Sequence, residues 1–176
     1  MIIEKFFIEE TAEPVDVYNF HVEDYHTYFV GNCAVWVHNV DCMPTEKQKG
    51  FVNSKENLDG SITVTKTING KSVDIKYTKA NDGHYYPRFE DYADYTNSSL
   101  KTDFSKPIKV NEKMNGNYGH DAGLINKQLG LSETPTGYVW HHIEDGESML
   151  LVQQKIHSIK FGGFTHRSGA SIIRGK

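Results

Sequence analysis

The chain has 176 residues, 38% hydrophobic and 24% charged, with a formal net charge of −4; this is the composition of a soluble globular protein of one or two domains with a modest core. No apolar run approaches the length of a membrane-spanning helix, and the acid-rich start MIIEKFFIEE has no basic region of a secretory signal. Two cysteines, Cys33 and Cys42, are too few for a disulfide scaffold or a zinc ribbon; both are expected to be reduced, with a bridge between them as the alternative.

The charge is uneven. Residues 1–40 carry one base, Lys5, against seven acids, whereas residues 41–176 carry eighteen bases and sixteen acids. A mildly basic body suits a nucleic-acid binder only if the bases cluster on one surface, which composition does not show.

Taken in chain order, residues 15–22 (VDVYNFHV), 26–31 (HTYFVG) and 34–39 (AVWVHN) are rich in β-branched and aromatic residues and parted by turn residues, so three short strands are predicted. Residues 40–60 are polar, with Pro, Gly and Asn, and read as a linker or loosely held loop. Residues 61–78 alternate β-formers around Asn69-Gly70, a strong hairpin signal. GHYYPRFEDYADY (residues 83–95) is aromatic-rich and irregular around Pro87, and its Tyr85, Tyr86, Phe89 and Tyr92 are expected in the core rather than on a base-stacking platform. A helix is predicted over residues 121–129, with Asp121 near its start and Gly130 as its stop. Residues 137–142 and 149–152 read as two strands joined by a turn at Asp145-Gly146, and QQKIHS (residues 153–158) as one or two helical turns. There is no internal repeat.

Histidine placement is the chemical signal. His141 and His142 are adjacent on a predicted strand, where neighbours point to opposite faces, so they should not do the same job. His157 on the following helical turns could converge with one of them. Imidazole is a good ligand for Zn²⁺ or Ni²⁺. A metal that clamps a phosphate oxygen, with an uncoordinated imidazole beside it, is a sufficient kit for hydrolysing a phosphodiester. His84 and His120 read as surface histidines.

The stretch GYVWHHIEDG…MLLVQQKIH…FTHRSG, with YYPRFEDYA and DAGLINKQLGL upstream, resembles the WHH branch of the HNH/endonuclease VII superfamily, nucleases of bacterial polymorphic toxins. The resemblance covers residues 83–170. It implies an α+β fold with a ββα-metal core and an additional hairpin and helix. His141, His157 and His166 would be metal ligands, His142 the general base, and Trp140 a core wedge. Arg167 is expected to contact a phosphate, and Arg88 either to reach substrate or to form a structural salt bridge. In the nuclease colicins the last two ligands sit one helical turn apart. Here His157 and His166 are nine residues apart across Gly162-Gly163, so His166 should arrive from a loop or a second helix.

Residues 15–39, ending in His38-Asn39, resemble the C-terminal end of a Hint (hedgehog/intein) domain of the kind that precedes toxin domains. In that family Asn39 would cyclise onto its own carbonyl, assisted by His38 and His26. The upstream half with its nucleophile is missing from the match, so the segment is expected to be a remnant, inert in self-cleavage.

The expected organisation is a Hint remnant at 1–40, a linker and β-hairpin at 41–82, and a nuclease domain at 83–176. The expected activity is metal-dependent endonuclease cleavage, with DNA favoured over RNA, in competing bacterial cells. Zn²⁺ or Ni²⁺ is favoured as the bound ion, with Mg²⁺ or Mn²⁺ open for activity, and a cognate immunity protein is the expected partner. The chain would be the C-terminal part of a larger delivered toxin acting in the target cytoplasm. The rivals are a metal-dependent ribonuclease, a non-enzymatic metal-binding module and a Hint-derived autoprocessing protein. A closed structural zinc site usually has four protein ligands, so three histidines beside a fourth suit an open, catalytic position better.

Overall fold

The computed structural model describes residues 27–30, 35–38 and 43–175. The chain divides into two units, Met1–Asn39 and Val40–Lys176. In the first, β1 (Thr27–Val30) pairs antiparallel with β2 (Val35–His38), placing Thr27 opposite His38. The strand predicted over 15–22, together with His26, Asn39, Cys33 and Cys42, lies outside the described residues.

The second unit is α+β, as expected, and contains two antiparallel sheets. The first has the order β3-β4-β5-β6, from β3 (Phe51–Glu56), β4 (Ile62–Ile68), β5 (Lys71–Lys79) and β6 (Tyr85–Arg88). β4 and β5 form the predicted hairpin. Asn69 and Gly70 both have positive φ, 51° and 76°, the backbone of a tight turn whose twist matches its strands. Val64, Lys66 and Ile68 on β4, and Val73, Ile75 and Tyr77 on β5, point inward at a spacing of two.

Two elements depart from the sequence reading. The expected linker contains β3, which is almost wholly exposed and carries a bulge between Phe51 and Asn53. A strand wet on both faces has no alternation for pattern reading to detect. The stretch around Pro87 is likewise the regular strand β6, followed by a 3-10 turn at Glu90–Tyr92. β6 is an edge strand, the place in a sheet where proline is tolerated.

The second sheet has the order β7-β9-β8, from β7 (Ile108–Lys109), β8 (Tyr138–His142) and β9 (Ser148–Gln153). Asp145 Oδ1 accepts the backbone N–H groups of Glu147 and Ser148 and tightens the β8–β9 turn. β9 runs straight into α2 (Gln154–His157), completing a ββα unit. The helix predicted over 121–129 is α1 (Tyr118–Leu129), one turn longer at its start. Asn117 caps it by accepting from the His120 N–H, and Gly130, at φ 70°, ends it in the left-handed conformation. A last short helix, α3 (Ala170–Arg174), follows.

Central strand β9 separates two cores. Leu150 and Val152 face a cluster with Val64, Ile75, Tyr77, Phe89, Ile156 and Phe164, so the β4–β5 hairpin and the ββα unit share one interior. Met149 and Leu151 face the other way, into a cluster with Trp140, Phe104, Ala122 and Ile125 that seats α1. Each fully buried aliphatic side chain contributes about 1.5–3 kcal/mol over its exposed state. Trp140 is buried, and its indole N–H donates to Asn126 Oδ1 on α1 at 2.8 Å. It is thus a wedge with one polar tether. Trp140→Ala is expected to cost about 3–5 kcal/mol in chemical denaturation; a loss under about 1 kcal/mol would remove Trp140 from the role of keystone between β8 and α1.

Candidate metal centre

The register of the β8–β9 hairpin assigns the two adjacent histidines to opposite faces. His141 is paired with Leu150 and His142 with Met149, residues of different cores. His141 therefore looks toward Phe89 and the hairpin sheet, and His142 toward α1. His157 is the last residue of α2, which begins as soon as β9 ends, so one helical turn lifts its ring back over the strand face that carries His141. His166 lies in an irregular segment, residues 163–168, and so arrives from a loop.

The three rings converge. His141 Nδ1 and His157 Nε2 are 3.1 Å apart. One ligand atom from each of His141, His157 and His166 lies within 4.8 Å of the others. Ring centroids are 5.1 Å apart for His141–His157, 5.0 Å for His141–His166 and 4.3 Å for His157–His166. Phe89 touches all three, with centroid distances of 5.1, 5.5 and 5.1 Å, and forms an apolar floor.

The loop that delivers His166 is tied down along its length. Lys66 Nζ, on the buried face of β4, donates to the Gly163 carbonyl at 2.6 Å. Tyr77 Oη donates to the Thr165 carbonyl at 2.8 Å, and Gln48 Nε2 to Thr165 Oγ1. Two glycines permit the close approach at the ends. A Cβ on Gly163 would overlap the Ile156 carbonyl, and one on Gly169 the Ile143 carbonyl; the Gly169 N–H meanwhile donates to the His142 carbonyl at 2.9 Å. The hairpin sheet thus holds the third histidine in place through backbone carbonyls.

The donor set fits a divalent transition ion. Tetrahedral Zn–N bonds of 2.0–2.1 Å put ligand nitrogens about 3.3 Å apart, close to the 3.1 Å between His141 and His157. Two imidazole nitrogens at that distance need either a proton or a cation between their lone pairs. His166 Nδ1 is 2.9 Å from the Phe164 carbonyl and donates to it, which would make Nε2 the nitrogen offered to a cation, with the outer hydrogen bond that orients metal-bound histidines. Burial, then the charge of His166 and its neighbours, pushes both His141 and His157 well below the ordinary value of 6.5. They are neutral at pH 7, the form a cation requires.

That depression makes these two histidines contributors to the acid sensitivity of the metal-free protein. The unfolded chain takes up protons at His141 and His157 as pH falls through about 6.5, while the folded form resists them. Stability from these groups is therefore present above 6.5 and is lost below it. The metal-free protein is expected to show a falling Tm between pH 7.5 and 5, and Zn²⁺ to flatten that slope at its upper end; a flat metal-free profile would contradict the buried neutral pair.

On the other face, His142 is buried with its Nε2 2.8 Å from Asp121 Oδ2. Asp121, in the first turn of α1, has no exposed surface. Its Oδ1 accepts from the Asn115 N–H at 3.0 Å and contacts His120 Nδ1 at 2.8 Å; its Oδ2 accepts from the Gly116 N–H at 2.8 Å. Burial alone would raise this carboxyl, but hydrogen bonds from His120, Asn115, His142 and Gly116 outweigh it and hold the group below its ordinary value. His142 is lowered by burial, against the opposing pull of Asp121.

Neither arginine singled out in the sequence stands alone. Arg88 forms an ion pair with Glu144 at 2.5 Å and donates to Thr78 Oγ1, tying the turn after His142 to β6. Arg167 Nε donates to Tyr86 Oη at 3.0 Å, and that hydroxyl donates to Asp82 at 2.7 Å. Burial, with the Asp82 bond, pushes Tyr86 up to about 12, so it stays a neutral phenol. His38 closes β2, and His84 sits in the β5–β6 turn outside the histidine cluster.

Pattern reading missed three contributors. Asp121 was visible only as a helix-start residue. Phe89 reads as a core residue, where it is, but its contact with three imidazoles has no sequence signal. Lys66 could have been found, because it occupies an inward position in the ITVTKTI alternation.

Comparison with protein families gives two matches. Residues 131–176 match a family described as a nuclease of the HNH/ENDO VII superfamily with conserved WHH. Residues 1–40 match the pretoxin HINT domain. A comparison with curated proteins gives no match.

Proposed function

We propose, from the match of residues 131–176 to a WHH-type nuclease family of the HNH/ENDO VII superfamily and of residues 1–40 to the pretoxin HINT domain, that the protein is the metal-dependent endonuclease part of a larger delivered bacterial toxin that cleaves DNA in a competing cell. The convergence of His141, His157 and His166 at the ββα unit is the observation that carries this reading.

In this reading the three imidazoles hold one divalent cation, with Zn²⁺ or Ni²⁺ suited to an all-nitrogen donor set. When bound, the ion supplies Lewis-acid stabilisation of charge on phosphoryl oxygens. His142 accepts a proton from water as the water oxygen bonds to phosphorus and a P–O bond of the backbone breaks. Arg167, held by Tyr86, offers a cation to a phosphate of the bound strand. Arg88 acts through Glu144, fixing the turn that follows His142. A dedicated immunity protein would protect the producing cell.

Supercoiled plasmid and total RNA are to be incubated in parallel with the Zn²⁺-, Ni²⁺-, Mg²⁺- and Mn²⁺-loaded protein, with an EDTA control. Plasmid nicking that EDTA abolishes, with RNA intact, is the expected result. RNA digestion alone would make the chain a ribonuclease, and no cleavage with any ion would leave a metal-binding module.

A further inference from the structure

The buried Asp121 carboxylate touches His142 on one oxygen and organises the entry to α1 on both. It receives two backbone N–H groups, so it is an acceptor toward everything around it. The His142 atom that faces it must then be a donor, and that atom is Nε2. A neutral imidazole has one N–H, so the other ring nitrogen keeps its lone pair.

Resting on the reading of the chain as a nuclease, we propose that Asp121 is the positioning residue of the reaction: its carboxylate fixes His142 in the Nε2–H tautomer and leaves Nδ1 as the nitrogen that accepts the proton of water. The frame around Asp121 is rigid. The Gly116 N–H is bound to Asp121 Oδ2, and the Gly116 carbonyl is bound by Arg174 Nε at 3.1 Å. Asn117 in the same loop caps α1. His120, half exposed, holds the second carboxylate oxygen from the solvent side. The carboxylate therefore has no room to turn, and the ring it grips inherits its orientation. A proton taken on Nδ1 makes an imidazolium whose charge sits 2.8 Å from the carboxylate through Nε2–H, which is the state an ionised partner stabilises.

The alternative is a carboxylate that only shapes the loop at residues 115–117. The two are separated by a spectroscopic readout that does not depend on cleavage. Nitrogen-15 NMR of the Zn²⁺-loaded protein is expected to show His142 with a protonated Nε2 and a bare Nδ1. Asp121→Asn presents an amide N–H to the ring and should invert the tautomer. Turnover should fall by about 10³–10⁴-fold, with KM and zinc affinity unchanged. A wild-type spectrum with Nδ1 protonated overturns the proposal whether or not the variant folds. So does an Asn variant that loses turnover with the native tautomer, because the carboxylate would then be acting on the loop alone. If the wild type cleaves no nucleic acid, the function proposed above fails, while the tautomer still reports whether Asp121 sets the ring.

Discussion

Replacing His142 with alanine is expected to slow phosphodiester cleavage by about 10²–10⁴-fold, the usual contribution of a positioned general base, while zinc uptake stays within a few-fold of wild type. The separation follows from the register of β8 against β9: His142 is opposite Met149 and faces α1, whereas His141 is opposite Leu150 and faces the other two imidazoles. Removing the ring also takes a partner from buried Asp121, which keeps its bonds from Asn115 and Gly116. A stability loss of about 1–3 kcal/mol is expected from that alone, so cleavage is to be compared at a temperature where both proteins are folded. His142→Asn, which returns an N–H to the pocket without a basic nitrogen, should be as inactive and more stable. Zinc titration against a coloured chelator gives the decisive reading. If His142→Ala loses the metal along with the activity, the division of labour between the adjacent histidines is wrong.

The complementary change acts on the cation. His157→Ala removes one of the three proposed ligands and leaves His141 Nδ1 without the nitrogen now 3.1 Å away. Loss of a mere supporting partner costs metal affinity about 10–100-fold, so loss of a ligand should exceed 100-fold. Cleavage should fall in parallel and recover in part with excess metal. Because α2 is only one turn long and His157 is its last residue, the substitution should leave the β8–β9 hairpin and Trp140 packing intact. Unaltered zinc affinity in this variant would show that the cluster is a packed group of neutral rings rather than a metal centre.

The His166 loop shows why the N-terminal half of the second unit matters to the site. Its backbone is held by Lys66 and Tyr77 from the hairpin sheet and by Gln48 from the segment before β3. A nuclease segment cut at residue 131 would retain every proposed ligand and lose these three anchors. The core shared by Val64, Ile75 and Tyr77 with Leu150, Val152 and Phe164 points the same way: the ββα unit and the preceding sheet bury each other's apolar faces.

What the linear chain already contained was whatever depends on neighbours a few residues apart. The Asn69-Gly70 turn, the Asp145-Gly146 turn and the stop of α1 at Gly130 are local backbone chemistry, and each is where the residues placed it. The opposition of His141 and His142 follows from the pleat of any strand, so it too could be read before any fold was known. Long-range packing supplied the rest. β3 is a strand only because β4 is there to pair with it, since its own side chains are almost all wet. Asp121 and His142 are 21 residues apart, and nothing local joins them; they meet because Trp140 and Ile125 seat α1 against β8. His166 joins His141 and His157 because a sheet built from residues almost a hundred positions earlier grips its loop. Local signals set the parts and their facing, and burial of the two apolar clusters brought the polar groups within bonding distance of one another.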